Sequence, residues 1–219
     1  LAQRAGRPVQ LALERSAENL AAGHRNATLQ RVRLGARRDG RLTAIEARIR
    51  LHAGAYTPGG EESDVAGAYL TLYRCPNVRT EQVAVKTHTG PAVAFRAPGH
   101  AEACFALESA MDELARALGM DPIELRLRNY AERDQRKHKP YTSVDSLKRC
   151  YQRVLEVSRF HDFQRNSVGT KRRGIGFAAH DWPGGAGHPP AEAMVEKRAD
   201  GGAELRTGVQ DIGTGTRTA

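Results

Sequence analysis

Aromatic residues are scarce in this 219-residue chain, where they account for 5% of the positions and include a single Trp. A core must therefore be built mainly from Ala, Leu and Val. Apolar runs are short as well, since none approaches the ~18 residues that a membrane-spanning helix needs. We therefore expect a globular chain that neither crosses a membrane nor has a membrane as its partner.

Cysteine is also rare, with three residues, Cys75, Cys104 and Cys150, that lie far apart in the sequence. Their odd number and wide spacing fit neither a disulfide framework nor a zinc site. So few cysteines are typical of a reducing compartment, most simply the cytoplasm. Export with a signal carried by a partner subunit would instead place the protein in the periplasm. Cys104 falls on a predicted helix, where we expect it to act as a small apolar core residue.

The short motifs of the commonest enzyme sites are missing. There is no Walker loop, no dinucleotide-binding glycine motif, no G-x-S-x-G turn and no H-E-x-x-H helix. The eight His are dispersed. His180 stands beside Asp181 and Trp182 and could be catalytic in principle, but a lone His in a Gly-rich loop is more often structural.

Charge is unbalanced towards basic residues, with 34 Lys and Arg against 25 Asp and Glu and a formal net charge of +9. This excess indicates either a surface for nucleic acid or an anionic cofactor, or an ordinary Arg-rich surface in contact with solvent. The basic residues are interleaved with acidic ones and have few aromatics beside them, whereas single-stranded nucleic acids are bound by stacking aromatics. We therefore expect no nucleic acid partner, and keep a basic nucleic-acid-binding module without catalysis as the alternative.

Hydrophobic periodicity predicts hairpins and grouped helices. Arg41–Leu51 alternates apolar and polar residues after the turn signal Asp39-Gly40, which predicts a hairpin with Thr28–Leu34. His100–Leu118 carries an apolar stripe at helical spacing and should end at Gly119. The other predicted elements are strands at Pro8–Leu13, Val78–Thr87 and Gly174–Ala179, a hairpin of Ala193–Ala199 with Ala203–Gln210, helices within Glu61–Leu72, from Asp121 and within Val144–Val157, and a surface loop at Glu132–Thr142. This order favours an α+β fold with mixed sheets, hairpins and packed helices over a doubly wound parallel sheet.

Two turns could hold an anion. Gly90–Gly99 lies between a predicted strand and the start of the long predicted helix, where unpaired backbone N–H groups and a partial positive charge attract anions. Within it Arg96 offers a planar set of donors. In Gly208–Thr218 the residues Gly213 and Gly215 would let the backbone approach a ligand closely. From spacing alone, each segment is more simply an ordinary connection.

Motifs throughout the chain change this balance. They occur in one order: Gly6-Arg7-Pro8-Val9, Gly23-His24-Arg25, Gly54-Ala55-Tyr56, Tyr73-Arg74-Cys75-Pro76-Asn77-Val78, Ala94-Phe95-Arg96-Ala97-Pro98-Gly99, Glu108, Met111-Asp112-Glu113-Leu114-Ala115, Leu118-Gly119-Met120-Asp121-Pro122, Glu124-Leu125-Arg126-Leu127-Arg128-Asn129, Arg173-Gly174-Ile175-Gly176 and Asp211-Ile212-Gly213-Thr214-Gly215-Thr216. Together they resemble the molybdopterin-binding large subunit of the xanthine oxidase and aldehyde oxidase family.

The resemblance implies an elongated α+β subunit, with residues 1–160 as a first molybdopterin-binding region and residues 161–219 as the start of a second. It implies a molybdenum–molybdopterin cofactor, expected in the cytosine dinucleotide form. Iron–sulfur clusters and FAD would be carried by an iron–sulfur subunit and an FAD subunit. The implied reaction is oxidation of a small-molecule substrate, an aldehyde or an N-heterocycle, with water as the oxygen source.

We further expect the chain to be an internal fragment, because it lacks an initial Met and stops directly after a Gly-rich turn. A truncated gene product that binds nothing is a third interpretation of such a piece. No position matches the Glu that the family uses as its base, so the resemblance assigns no catalytic residue and no metal ligand here. Glu61, Glu62 and Glu102 are not given that role.

The resemblance places the cofactor on both turns. The cofactor-binding residues that it implies are Ala94, Phe95, Arg96, Ala97, Pro98, Asp211, Ile212, Gly213, Thr214, Gly215 and Thr216. Thr214 stands where many relatives have Gln. Pro98 stands where purine oxidases have an aromatic residue that clamps the substrate, and no Arg occurs in Glu61–Gly67, where those enzymes place one. Both departures favour an aldehyde as substrate.

Overall fold

The computed structural model describes residues 1–56, 64–141, 145–163, 167–182, 192–209 and 215. The chain divides into two compact units, Leu1–Trp182 and Pro183–Ala219. Its helices are α1 (Ala2–Ala5), α2 (Arg15–Ala21), α3 (Val65–Ala68), α4 (His100–Leu118), α5 (Pro122–Arg128) and α6 (Ser146–Ser158), followed by a 3₁₀ turn at Phe160–Asp162. Its strands are β1 (Thr28–Ala36), β2 (Leu42–Gly54), β3 (Val78–Lys86), β4 (Arg133–Asp134), β5 (Lys139–Pro140), β6 (Ser167–Val168), β7 (Lys171–Arg172), β8 (Ala193–Lys197) and β9 (Ala203–Thr207). These elements confirm the α+β class.

A three-stranded sheet in the order β1-β2-β3 forms the base of the first unit. β1 and β2 are antiparallel, with Leu34 opposite Ile45, and β2 and β3 are parallel, with Ile45 opposite Val78. The predicted hairpin is confirmed: the turn closes through a hydrogen bond from the Arg37 amide to the Arg41 carbonyl, and Gly40 takes the positive φ of 86° that favours glycine there.

Alternation along β2 decides which face of the sheet is buried. Ile45, Ala47, Ile49 and Leu51 are each no more than 1% exposed. They join a core with the apolar stripe of α4, formed by Ala103, Leu107, Met111 and Ala115. A strand has a side-chain period of two and a helix of about 3.6, so one face of each is available for this contact. The core thereby fixes α4, and with it the turn that precedes α4, against the sheet.

The predicted end signals of the helices are confirmed. Gly119 ends α4 in the left-handed conformation at φ 64°. Asp121 caps α5 by accepting hydrogen bonds from the amides of Ile123 and Glu124 at 2.8 and 2.9 Å, and Pro122 occupies the first turn. Because Gly119 and Asp121 are two residues apart, α4 and α5 follow each other with almost no connecting loop.

Two predicted strands are wrong, because neither segment has a strand to pair with. Residues 8–13 contain no helix or strand, and Val9, Leu11 and Leu13 are 41–67% exposed. Residues 174–179 likewise contain no helix or strand, and they contact side chains of other segments instead of a strand. The Phe177 ring packs edge-on against Tyr151, with 4.9 Å between the ring centroids, and the Ala179 amide donates to a Glu108 carboxylate oxygen at 2.6 Å.

Two other segments differ from the prediction in extent. Glu132–Thr142 was expected to be a surface loop, but the short strands β4 and β5 pair within it, and Asp134 is buried. In the described part of Glu61–Leu72, the helix is limited to Val65–Ala68. Turns follow it at residues 69–71 and a bend at residue 72, so this segment contributes a short helix and turns rather than a long helix to the core.

The described part of the second unit is a hairpin of β8 and β9, with Val195 opposite Leu205. It confirms the hairpin predicted across Asp200-Gly201-Gly202, and Gly201 takes a positive φ of 85° in the turn. Among the described helices of the chain, none combines the length and the apolar composition that crossing a bilayer would require.

Candidate functional site

The turn that precedes α4 is exposed and strained. Ala94, Phe95 and Arg96 are exposed, and 49% of the Phe95 surface is open to solvent. Ala97 adopts a positive φ of 53°, which costs a residue with a Cβ about 1 kcal/mol or more. Its carbonyl accepts the amides of His100 and Ala101 at 3.1 and 3.4 Å. We refer to residues 94–99 as the Arg96 turn.

Gly99 lets this turn pass directly over another segment of backbone. It takes a positive φ of 80°, and a Cβ placed on it would lie 2.6 Å from the Asp64 carbonyl oxygen and from the Val65 amide nitrogen. Only glycine can satisfy both conditions. Gly99 also stands at the N-terminal end of α4 without a side-chain cap, and the one acidic residue in the first turn of that helix is Glu102.

Arg25 holds the Arg96 turn from one side. One guanidinium nitrogen, Nη2, donates to the Arg96 carbonyl at 2.6 Å, and the other, Nη1, donates to Glu102 Oε2 at 3.0 Å. The guanidinium carbon also lies 5.0 Å from the centroid of the Phe95 ring, within cation–π range. Arg25 therefore contacts the turn at two successive residues and α4 at a third point.

Glu102, in the first turn of α4, completes this arrangement. Its side chain is 7% exposed, and its carboxylate forms an ion pair with Arg25. The second carboxylate oxygen, Oε1, is buried and has no hydrogen-bond partner among the described residues. The Glu102 carbonyl accepts from the Gln30 side chain at 2.9 Å, and Gln30 in turn accepts from the Tyr69 hydroxyl at 2.7 Å. Glu102 is thus fixed to β1 through its backbone and to Arg25 through its side chain.

A stacked pair of histidines lies behind the segment that leads into the turn. The His24 amide donates to the Pro91 carbonyl at 3.3 Å, and the Val93 amide donates to the His24 carbonyl at 3.0 Å. The rings of His24 and His52 stack with centroids 4.9 Å apart. Because His52 Nδ1 accepts from the Ala27 amide, a neutral His52 carries its proton on Nε2, which lies 2.9 Å from His24 Nε2. Burial, and then the charge of His24, lowers the pKa of His52.

The start of α4 also contacts the segment that the sequence singled out around His180. His100 is 1% exposed; its Nδ1 lies 3.1 Å from the Asp181 carbonyl oxygen, and its ring meets the Trp182 ring edge-on at 5.2 Å. His180 lies farther away, with its ring centroid 6.4 Å from that of His100. The contacts on this side of the helix are thus made by His100, which the sequence did not indicate, while His180 is peripheral to them.

A buried ionic network stabilises α4 from within. The Arg126 side chain is 0% exposed and pairs with Glu108 at 2.7 Å and with Asp112 at 2.8 Å. Glu108 also accepts a short hydrogen bond from the Tyr73 hydroxyl. Burial alone would lower the pKa of Arg126, but the charges of Glu108 and Tyr73 raise it above its ordinary value. Arg126 therefore stays charged, and the network joins α4 and α5 to the segments around Tyr73 and Ala179.

The residues implied at the second turn are almost all outside the described part of the chain. Asp211, Ile212, Gly213, Thr214 and Thr216 lie there. Gly215 is described, and it has the positive φ of 80° expected of a glycine in a tight turn. The structure thus brings together Ala94 to Pro98 on one turn, while their relation to Asp211–Thr216 stays a prediction.

Sequence reasoning missed Arg25 and Glu102 as parts of the site. Arg25 appears in the motif Gly23-His24-Arg25, but nothing in the sequence connects it with residues 71 and 77 positions later. Glu102 was not assigned the role of the base, and the structure places its buried side chain against Arg25. The one signal in the sequence was the place of Glu102 in the first turn of the predicted helix, where the helix dipole favours an acidic residue.

The chemistry of the Arg96 turn fits an anionic cofactor. Arg96 is exposed, and its guanidinium forms no ion pair with a carboxylate among the described residues. It stands at an uncapped helix end beside a second cation, Arg25, whose charge is offset by Glu102. One net positive charge, a planar set of donors and an exposed ring are therefore available to a phosphate-bearing pterin.

Comparison with known proteins points to the same kind of ligand. Residues 1–130 match the molybdopterin cofactor-binding domain family. Over 96% of its length, the chain is 33% identical to the aldehyde oxidoreductase of Megalodesulfovibrio gigas, of which it covers 24%. It is 29% identical over 97% of its length to the xanthine dehydrogenase molybdenum-binding subunit of Escherichia coli O157:H7, of which it covers 30%.

A solved structure agrees in fold. Quinoline 2-oxidoreductase from Pseudomonas putida 86 superposes on 74% of this chain with a TM-score of 0.56 and 28% sequence identity, and the chain covers 22% of that structure. The chain therefore spans between a fifth and a third of the length of these three proteins. The matched segment contains the whole Arg96 turn together with Arg25 and Glu102.

Proposed function

This chain belongs to the molybdopterin cofactor-binding domain family, and from that premise we propose that its Arg96 turn contacts the molybdenum–molybdopterin cofactor of a molybdenum hydroxylase. The observation that carries the proposal is Arg96 at the start of α4, which is exposed and forms no ion pair among the described residues, inside the matched residues 1–130. Ala94, Phe95, Ala97 and Pro98 would share the contact. Asp211–Thr216 would form the second contact with the same cofactor.

The bound cofactor would supply the oxidation of a substrate carbon, with water as the source of the oxygen. The residues of this chain would bind and orient it. Arg96 would neutralise negative charge on the cofactor, and the backbone amides at the start of α4 would add their partial positive charge. Glu102 would not move a proton during the reaction, because its carboxylate is buried and paired with Arg25. We propose, as the resemblance implies, that the base is a Glu not contained in this chain.

We propose that the substrate is an aldehyde, with an N-heterocycle as the alternative. Pro98 supports an aldehyde, because it offers no aromatic face on which a purine could stack. The similarity to an aldehyde oxidoreductase and to a quinoline oxidoreductase is consistent with both classes. We further propose the cytosine dinucleotide form of the cofactor, and an iron–sulfur subunit and an FAD subunit as partners that take up the electrons. Residues 1–160 and 161–219 would belong to two successive molybdopterin-binding regions, in a cytoplasmic or periplasmic enzyme.

The proposal is tested by replacing Arg96 in the complete native protein. We expect Arg96→Ala to lower the molybdenum and pterin content of the purified protein about tenfold, because one charge-assisted contact to an anion is lost. Metal analysis and the fluorescence of oxidised pterin measure the content. Arg79→Ala, in the exposed arginine of β3, is the matched control and should leave both contents unchanged. A native protein that contains no molybdenum, or an Arg96→Ala protein with full cofactor content, would contradict the proposal.

Substrate class needs its own measurement. The native enzyme supplied with aromatic aldehydes and with xanthine should oxidise the aldehydes faster, and in ¹⁸O-labelled water the product should carry the label. Faster turnover of xanthine would replace the aldehyde assignment without affecting the role of Arg96.

A further inference from the structure

We propose that Arg25 and Glu102 are positioning residues of the cofactor site, which hold the Arg96 turn in its binding conformation. This inference rests on the proposed function, since it gives a role to residues that touch the turn rather than the cofactor. Arg25 and Glu102 with the atoms that they hold, the Arg96 carbonyl and the Phe95 ring, are called the Arg25 clamp below.

The Arg96 turn needs support from outside its own backbone. Ala97 is held at a positive φ of 53°, and Gly99, the residue before α4, provides no side-chain cap. A strained backbone persists only where its surroundings favour it over relaxed alternatives. The Arg96 carbonyl is the last backbone acceptor before the strained residue, and the hydrogen bond from Arg25 at 2.6 Å fixes the orientation of that peptide group.

Arg25 can hold the Arg96 turn only because its side chain ends in a guanidinium group. Its two terminal nitrogens bind two different acceptors, the Arg96 carbonyl and Glu102 Oε2, while its flat face lies against the Phe95 ring. A Lys side chain carries a single nitrogen and no flat face, so it cannot keep these three contacts at once. Substitution of Arg25 by Lys therefore preserves the positive charge but cannot keep the three contacts at the same time.

Glu102 orients Arg25 through their ion pair. Its position is fixed independently of Arg25, because the Gln30 amide holds its carbonyl at 2.9 Å and α4 is packed on the sheet. The buried carboxylate of Glu102 neutralises the charge of Arg25 in this ion pair. The charge of Arg96 is then the one left for the cofactor.

The positioning of the Arg96 turn by Arg25 is separate from the stabilisation of the fold. Arg25 has 29% of its side chain exposed and lies at the surface beside the turn. The core residues of α4 and the sheet do not depend on it. Arg25→Lys keeps a cation beside the buried Glu102 carboxylate, so this substitution leaves no buried charge without a partner. A change at Arg25 should therefore alter the turn more than it alters the folding of the protein.

The test compares Arg25→Lys, Glu102→Gln, Phe95→Leu and Arg96→Ala in the complete native protein. Arg33→Lys serves as the matched control, because Arg33 pairs with Glu46 on the outer face of the sheet, away from the turn. Four quantities are measured for each variant: molybdenum and pterin content, the rate of pterin release after dilution, the electron paramagnetic resonance signal of the reduced molybdenum centre, and the thermal midpoint of the cofactor-free protein.

We expect Arg25→Lys to release the cofactor about tenfold faster, as loss of one charge-assisted hydrogen bond predicts, and to broaden or shift the molybdenum signal. The midpoint of its cofactor-free form should stay equal to that of Arg33→Lys. Glu102→Gln and Phe95→Leu should change release in the same direction by smaller factors. If Arg25→Lys does not fold, Glu102→Gln provides the comparison, because Glu102 pairs with Arg25 and is not among the residues proposed to contact the cofactor.

The inference is overturned if Arg25→Lys retains the cofactor and its signal as the control does, or if release accelerates only together with a lower thermal midpoint. Arg96→Ala distinguishes a failure of the Arg25 clamp from a failure of the proposed function. If Arg96→Ala loses the cofactor and Arg25→Lys does not, only the clamp is wrong. If Arg96→Ala also keeps it, the proposed function itself fails.

Discussion

At the scale of single residues, the least expected feature is a fully buried arginine. Arg126 is 0% exposed and meets two carboxylates, those of Glu108 and Asp112, while its guanidinium lies 5.7 Å from the centroid of the Phe177 ring. A buried ion pair stabilises little compared with apolar packing, but removal of one partner leaves a charge without compensation. The sequence showed Glu108 and Arg126 as motif positions and gave no indication that they pair.

The network makes a prediction for stability. Glu108→Ala should lower the free energy of unfolding by about 3–5 kcal/mol, since it leaves the buried Arg126 with the partly exposed Asp112 as its remaining carboxylate and removes the partner of the Tyr73 hydroxyl and of the Ala179 amide. Denaturant unfolding measures this change. Glu113→Ala is the control, because Glu113 is an exposed acidic residue of the same helix, and it should change stability by about 0.5 kcal/mol or less. Equal effects of the two substitutions would argue against the network.

The three cysteines differ in accessibility and therefore in reactivity. Burial raises the pKa of Cys104 to about 12 and also raises the pKa of Cys75, whereas Cys150 is exposed. Because the thiolate is the reactive form, iodoacetamide at pH 8 should label Cys150 in the native protein and leave Cys75 and Cys104 unmodified. Mass spectrometry of the digested protein gives the extent at each position. Rapid labelling of Cys104 before unfolding would contradict its place in the core.

At the scale of elements, the sequence was most informative where one local signal determines the outcome. The Asp39-Gly40 turn, the apolar stripe of His100–Leu118 and the cap at Asp121 all predicted elements that the structure contains. Each signal acts within a few residues, so no knowledge of distant contacts was needed. The strands predicted at Pro8–Leu13 and Gly174–Ala179 failed because a strand also requires a partner.

The start of α4 gives a prediction at this scale. Gly99→Ala should lower the free energy of unfolding by more than Gly119→Ala. Both glycines have a positive φ, which costs alanine about 1–2 kcal/mol, but a Cβ at Gly119 meets nothing within 4 Å, whereas at Gly99 it would collide with the Asp64–Val65 backbone. Thermal or denaturant unfolding of the two variants measures the difference. Equal losses would mean that the close approach at Gly99 is not maintained in solution.

Gly99→Ala should also affect the site. The clash would displace the Arg96 turn, so the variant should contain less molybdenum than Gly119→Ala at the same folded fraction. Full cofactor content in Gly99→Ala would mean that the turn tolerates a shift.

At the scale of the whole molecule, the sequence predicted the α+β class, but not the contacts around the Arg96 turn. Arg25 reaches the Arg96 carbonyl and Glu102 across 71 and 77 positions of sequence. Such contacts arise only when the β1–β2 hairpin and α4 are packed together, and no local pattern encodes that packing. The ordered motifs included Arg25, but only the fold shows that Arg25 contacts the Arg96 carbonyl and Glu102.

The residues that surround the Arg96 turn come from separate parts of the first unit. Gly23–Arg25 precedes β1, Asp64 precedes α3, and Glu102 belongs to α4. Each contributes through backbone or charge rather than through a recognisable catalytic side chain. This would explain why the usual enzyme motifs are absent from a chain that we propose to be part of an oxidoreductase: its own residues would bind and orient the cofactor, which would supply the reactive chemistry.

The central claim is that the Arg96 turn touches the pterin cofactor. The most direct measurement is a crystal structure of the complete native protein with its cofactor bound and the molybdenum located by anomalous scattering. We predict that atoms of Phe95, Arg96 or Ala97 lie within about 4 Å of the cofactor, with Arg25 still bound to the Arg96 carbonyl. A cofactor whose contacts include none of residues 94–98 would contradict the account.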